Sequence, residues 1–328
     1  MPKRATPSLP PPDPERLARA NELAERAPLP ARVHNIEFGT ASWTDRTLVE
    51  SGTFYPRGAK TPEARLRHYS AHFPFVEVDA TYYSLLPVET AERWVSWTPS
   101  TFSFDIKAFP SLTGHPIDVR RLPNDLKQAL VAAGHEARVY PDRLEPELLA
   151  ELNARFLSFL EPLLRADRLR AVLLQFPPWF TATRGNVKRL EAIREAHPEL
   201  PLAVEFRHAS WFEPARRTRV FDTLRAQHMS FVVIDEPGMP LIAEVTHAPL
   251  ALIRFHGKNE SGWKTKGASV YERFGYLYEP SELEAWIEPV QRLATQAERV
   301  QAIFNNCARN YAVLGAKDLA VLLTPTEA

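Results

Sequence analysis

The stretch TFSFDIK at 101–107 alternates apolar and polar side chains without a break. A period of two is the pattern of a β-strand whose two faces meet different surroundings. Phe102, Phe104 and Ile106 form one row, suited to packing beneath helices. Ser103, Asp105 and Lys107 form the other. Three polar groups on the second face of a strand need a polar or hydrated interior, since burying them unpartnered is costly. This stretch therefore predicts a sheet whose second face turns inward, as it does in a barrel.

On either side of it, seven more short β-rich runs alternate with helix-length connections, at 36–40, 75–79, 171–175, 202–207, 231–235, 250–256 and 300–305. Helical patterns start near Thr61-Pro62, cover 91–97 and 146–165, and close the chain at 308–323. Eight strands spaced by helices predict an α/β fold of the (β/α)8 TIM-barrel type. An open doubly wound sheet is the alternative, but no GxGxxG turn follows any strand. The 111–146 stretch is too long for a simple βα loop. It reads as an insertion with its own helix near 124–132, either a lid or a surface decoration.

The chain has 328 residues, 45% of them hydrophobic, enough for one large core over 34–328. Residues 1–33, rich in Pro, Arg, Glu and Ala, read as an N-terminal arm, peripheral or partly disordered, with one short helix at 14–26. Forty basic and forty acidic residues cancel, so no global field draws nucleic acid or an anionic membrane. The single Cys307 excludes an internal disulfide and a cysteine zinc cluster. No run of about 18 apolar residues is present, which predicts no membrane span. Pro10-Pro11-Pro12 stands where a signal peptide would need its apolar segment, so the expected location is cytoplasmic.

Extending the alternation to every strand turns Glu77 and Asp79 inward, with Lys107, Gln175, Glu205, Arg207, Asp235, Arg254, His256 and Asn305. All stand at C-terminal strand ends, the face on which barrel enzymes build their sites. Trp43, Tyr82, Tyr83, Trp179 and Trp211 lie in or just after strand ends, as stacking walls or as packing under the loops. The polar set is either a self-neutralising plug or a small-molecule pocket. Its concentration at one end favours the pocket.

Those same segments carry a family resemblance: GTASW at 39–43, VEVDATYYSLLP at 76–87, FSFDIK at 102–107, LLQFPP at 173–178, EFRHASW at 205–211, IRFHG at 253–257 and FNN at 304–306. In order and spacing the chain resembles the YecE-like family, domain of unknown function 72, from about residue 36 to the C-terminus. The resemblance implies a (β/α)8 barrel and brings no activity with it. The family pattern has Asn where Asp79 stands, and a Thr-His pair where this chain has Thr113-Gly114-His115-Pro116. His115 accordingly reads as a solvated loop histidine.

The leading expectation is an enzyme acting on a small polar or anionic metabolite by acid–base chemistry. Glu77, Lys107, Glu205, Asp235 and His256 are the candidate catalytic residues. Asp79, Gln175, Arg207, Arg254, Asn305, Trp43, Tyr83 and Trp211 are candidates for binding, the arginines by paired hydrogen bonds to an anion. A Schiff base on Lys107 is disfavoured by the neighbouring carboxylates. No motif implies a cofactor. Metal-assisted hydrolysis or isomerisation through Glu77, Glu205, Asp235 and His256 is an alternative without a spacing motif. Barrel glycosidases of the commonest clan show carboxylates where Gln175 and His256 stand here. A non-catalytic ligand binder is a further alternative. Nucleic acid would have to use Lys258, Trp263, Lys264, Lys266, Tyr271 and Arg273, against the balanced net charge.

Overall fold

The computed structural model describes residues 12–260, 262, 265 and 270–325. Among these, eleven strands are formed: β1 (Arg32–Val33), β2 (Ile36–Thr40), β3 (Phe75–Val78), β4 (Ser103–Lys107), β5 (Ile117–Asp118), β6 (Arg138–Val139), β7 (Leu169–Gln175), β8 (Leu202–Glu205), β9 (Ser230–Asp235), β10 (Ala251–Phe255) and β11 (Val300–Phe304). Nine of them make one sheet in the order β1-β2-β11-β10-β9-β8-β7-β4-β3. Every neighbouring pair in it is parallel except β1 with β2.

From β3 to β11 the parallel strands follow chain order, and β2 comes next after β11. There is no reversal of order, hence no switch point of the kind a doubly wound sheet carries. The two ends of the sequence of strands return to each other. Ala41, just past β2, bridges in parallel to Glu77 of β3, and the Ser42 N–H donates to the Glu77 carbonyl at 2.8 Å. The result is a mixed α/β fold built on a strongly curled sheet.

The alternation read from TFSFDIK explains the two separate cores. Phe104, Ile106, Val172, Val204, Ile253 and Phe304 face the helices and share one core with them. Phe75, Leu173, Ala203, Val232, Leu252 and Ile303 form a smaller core on the other face of the same strands. β2 and β3 approach closely at Gly39 and Phe75. A methyl group on Gly39 would lie 2.9 Å from both the ring and the carbonyl oxygen of Phe75. Glu37, at the opposite end of the inner face from the strand C-termini, is neutralised by Arg32 at 2.5 Å and Arg299 at 2.6 Å.

The described part of the N-terminal region packs against the C-terminal part of the chain. Asp13 caps the helix Pro14–Glu25, whose Ala20 and Ala24 pack on Leu277, Tyr311 and Leu314, and Arg16 pairs with Glu279 at 2.6 Å. Arg32–Val33 joins the sheet as β1, a strand too short to show periodicity. The expectation for residues 1–11 falls outside the described residues. The insertion holds the expected helix, Asn124–Ala132, and an unexpected antiparallel pair, β5 with β6. Among the described residues no helix is long and apolar enough to cross a membrane.

Gly39→Ala should destabilise the fold by about 1–3 kcal/mol, because neither the Phe75 ring nor its backbone can move aside without strain. Urea denaturation of the two proteins measures this; an unchanged midpoint would show that the curl is looser than described.

Candidate active site

The C-terminal ends of three non-adjacent strands place one charged side chain each on the inner face: Glu77 of β3, Glu205 of β8 and Arg254 of β10. Arg254 grips Glu77 through two hydrogen bonds, Nε to Oε2 at 2.8 Å and Nη2 to Oε1 at 2.6 Å. Its Nη1 donates to Oε2 of Glu205. All three side chains are 0% exposed, so each depends on the other two for its solvation.

Above this floor the chain leaves the strands, and the polar set continues with groups that are buried or only slightly exposed, Asp79 the most exposed among them. Arg207 donates to Glu205 Oε1 at 3.0 Å and reaches Glu236 Oε2 at 2.7 Å. His256 Nε2 lies 3.4 Å from Glu205 Oε1, and its Nδ1 lies 3.1 Å from the Asn305 amide nitrogen. That geometry suits a neutral imidazole carrying its proton on Nε2. Lys107 Nζ is 3.7 Å from Asp79 and 4.7 Å from the centre of the Tyr82 ring. His115, half-buried, is held by Thr113 Oγ1 at 2.9 Å and sets its ring against Tyr82 and Trp179.

Burial and neighbouring charge push these groups in opposite directions. Burial raises the Glu77 carboxyl to about 7, Arg254 opposing and the Asp79 charge reinforcing the rise. Burial alone would raise Glu205 too, but Arg254, His256 and Arg207 together hold it well below the usual carboxylate range. Glu236 is raised to about 7 by burial, with Arg207 opposing and Glu205 adding to it. Burial lowers His256 to about 3, so that it is neutral near pH 7. His115 is lowered to about 4 by burial, then by the charges of Lys107 and Arg207.

Of the residues expected from the sequence, Glu77, Asp79, Lys107, Glu205, Arg207, Arg254, His256 and Asn305 come together here. Gln175 ends β7 in register with Glu205, half-buried. Tyr83 stands at the rim, exposed, beneath the Arg121 guanidinium. Three do not join. Asp235 turns to the helix-facing side and accepts from Tyr278 at 2.7 Å; Val232 and Ile234 take the inner face of β9. Trp211 stacks between Phe206 and Phe180 in the outer core, its Nε1 bound to the Phe180 carbonyl at 2.6 Å. Trp43 packs edge-on against Trp94 in that same core.

Glu236 carries no signal in the sequence, and His115, which reads as solvated, is half-buried against Tyr82 and Trp179. Both lie beyond strand ends, where alternation stops carrying information. Among the described residues no three His, Cys, Asp or Glu side chains gather as a metal set, and Glu77 and Glu205 are both bound to Arg254. Lys258 pairs with Glu282 at 3.7 Å; Trp263, Lys264 and Lys266 lie outside the described residues.

This sheet, with its polar cluster at the strand ends, belongs to a defined class. Residues 37–328 match the family model described as protein of unknown function DUF72, and the chain is a member of that family. It is 32% identical over 296 residues to the UPF0759 protein YunF of Bacillus subtilis (strain 168), covering 88% of this chain and 94% of that protein. Among solved structures it is similar to a DUF72 family protein from Enterococcus faecalis V583, with 27% identity and a TM-score of 0.71 over 89% of this chain and 97% of that one. A DUF72 family protein from Thermotoga maritima MSB8 is 30% identical, with a TM-score of 0.67 over 87% of this chain and 98% of that one.

The raised Glu236 carboxyl has a measurable consequence. The folded chain keeps a proton up to about pH 7 that the unfolded chain releases near 4.5. The associated stability is full below about 4.5 and is lost as pH rises through about 7. Glu236→Gln should therefore lose less stability between pH 5 and pH 8 than the parent, by roughly 2–3 kcal/mol. Urea midpoints at the two pH values test it, and parallel losses would mean that Glu236 is ionised throughout.

Proposed function

We propose that this chain is a cytoplasmic (β/α)8-barrel enzyme that binds a small anionic or zwitterionic metabolite at the C-terminal strand ends and transforms it by acid–base chemistry. The return of β3 to β2 through Ala41 and Glu77 supports the closed barrel. The observation that carries the function is the Glu205–Arg207–Glu236 chain: one guanidinium joins a carboxylate held ionised to a carboxyl raised to about 7. Two neighbouring carboxyls with acidities pushed apart are the arrangement that general acid–base catalysis uses.

In this reading the buried Glu77–Arg254–Glu205 floor is a positioning element. Arg207, Glu236, Lys107 and Asp79 are the groups with access to a ligand. Lys107 and Arg207 receive its anionic group, and Glu236 gives or takes the proton at the reacting atom. His256, kept neutral, holds Glu205 in place. Tyr82, Trp179 and His115 wall one side. Four carboxylates (Glu77, Asp79, Glu205, Glu236) meet three cations (Lys107, Arg207, Arg254), and a ligand anion near Lys107 and Arg207 would compete with Asp79 and Glu236 for them. Such competition would free Glu236 for proton transfer. The metal-assisted alternative has less support, since Asp235 points elsewhere and Arg254 already occupies Glu77 and Glu205.

A thermal-shift screen of small carboxylates and phosphates, each beside its neutral analogue, is the test. A true ligand at about 100 times its Kd stabilises by roughly 2.7 kcal/mol. Lys107→Met should abolish that shift while keeping the unliganded Tm near that of the parent. Glu236→Gln should keep the shift but slow turnover of the hit by about 10²–10⁴-fold. Equal shifts from neutral analogues would overturn the anionic substrate, and binding without turnover would favour a non-catalytic ligand binder.

A further inference from the structure

A cavity remote from the cluster above opens on the outer surface between the helices Arg184–Ala196 and Pro214–Ala226. Its volume is about 450 Å³, within the range of small-molecule sites. The apolar part of the lining is Ala182, Val187, Ala215, Val220 and Trp211. The rim is basic, with Arg184, Lys188, Arg216 and Arg219 against Glu191 alone. Arg216 meets Glu213 at 3.4 Å; among the described residues Arg184, Lys188 and Arg219 have no ion-pair partner. Four cations around an apolar lining would repel one another less with an anion among them.

The groove continues along the helix Pro214–Ala226 toward its C-terminal end as a neighbouring cavity of about 490 Å³. There the character changes, because its lining adds Asp222, Thr218, Thr223 and Gln227 and no further cation. The basic stretch is thus confined to the N-terminal halves of the helices. It is too short for a polyanion to track, and its lining is too apolar for a bare inorganic anion to make full use of it.

We infer that this cavity binds a small amphipathic anion, whose apolar chain or ring lies on Val187, Val220 and Trp211 while its phosphate, sulfate or carboxylate is held by Lys188, Arg219 and their basic neighbours. The occupant needs both parts. A head group alone leaves the apolar lining uncovered, and a neutral chain alone leaves the cations unanswered.

Calorimetric titration with octyl phosphate, below its micellar concentration and at low salt, tests the site. One equivalent should bind per chain, at least tenfold tighter than inorganic phosphate or 1-octanol. Two exposed changes address the cavity without touching the cores. Ala215→Trp fills it, and Lys188→Gln with Arg219→Gln removes half its charge; each should weaken octyl phosphate at least tenfold with an unchanged Tm. Lys107→Met, at the strand-end cluster, should leave the affinity as it is. Unchanged binding in both cavity variants, or inorganic phosphate binding as tightly as octyl phosphate, overturns the assignment. So does sedimentation showing a dimer that Ala215→Trp disrupts, which would make the groove a contact between two copies of the chain.

Discussion

One guanidinium organises the inner face of this molecule. Arg254 holds two carboxylates from strands that are not its neighbours in the sheet, Glu77 of β3 and Glu205 of β8. Taking three charges fully out of water is expensive, and the loss is made good only when all are paired and hydrogen-bonded together. Such a cluster tolerates little displacement, because a shift of any strand end strands a charge. It therefore ties β3, β8 and β10 to a common centre, while the apolar rows on the opposite faces of the same strands bind each to the helices. The polar contacts set where the ends converge, and the apolar contacts supply the bulk of the burial.

How far this was legible depends on whether the two faces of each strand differ chemically. In TFSFDIK they differ at every position, so the inner placement of Ser103, Asp105 and Lys107 follows from alternation alone. The same holds for Glu77 beside Val76 and Val78, and for Arg254 between Ile253 and Phe255. In β9 the run Phe231-Val232-Val233-Ile234 is apolar on both faces, and nothing in it says which row looks inward. Asp235 was assigned to the wrong side for that reason. Strands of two residues, β1, β5 and β6, have no period to read. Glu236 and His115 lie where the backbone has left the strand, and only the folded loops bring them to the cluster. Trp211 and Trp43 sit near strand ends as ligand-stacking residues would, but flat apolar rings are also what the helix-facing core requires, and that is where both lie.

The cluster also separates two tasks that its composition alone would merge. The fully buried members fix geometry and hold the charges in place, whereas Arg207, Glu236, Lys107 and Asp79 keep some contact with solvent. Acidity follows this division only in part: Glu205 is deep and ionised because cations surround it, while Glu236 is raised by burial, with the charge of Glu205 adding to the rise and Arg207 opposing it.

Glu77 belongs to the seam as well as to the floor. Its carbonyl accepts from the Ser42 amide where the ends of the sheet meet, while its carboxyl takes two of the Arg254 hydrogen bonds. A single residue thus couples the joint of the sheet to the charge state of its interior. Whatever loosens the grip of Arg254 on that carboxyl also loosens the joint, and the Ser42 amide becomes a gauge, through its rate of exchange with solvent, of how tightly the interior is held.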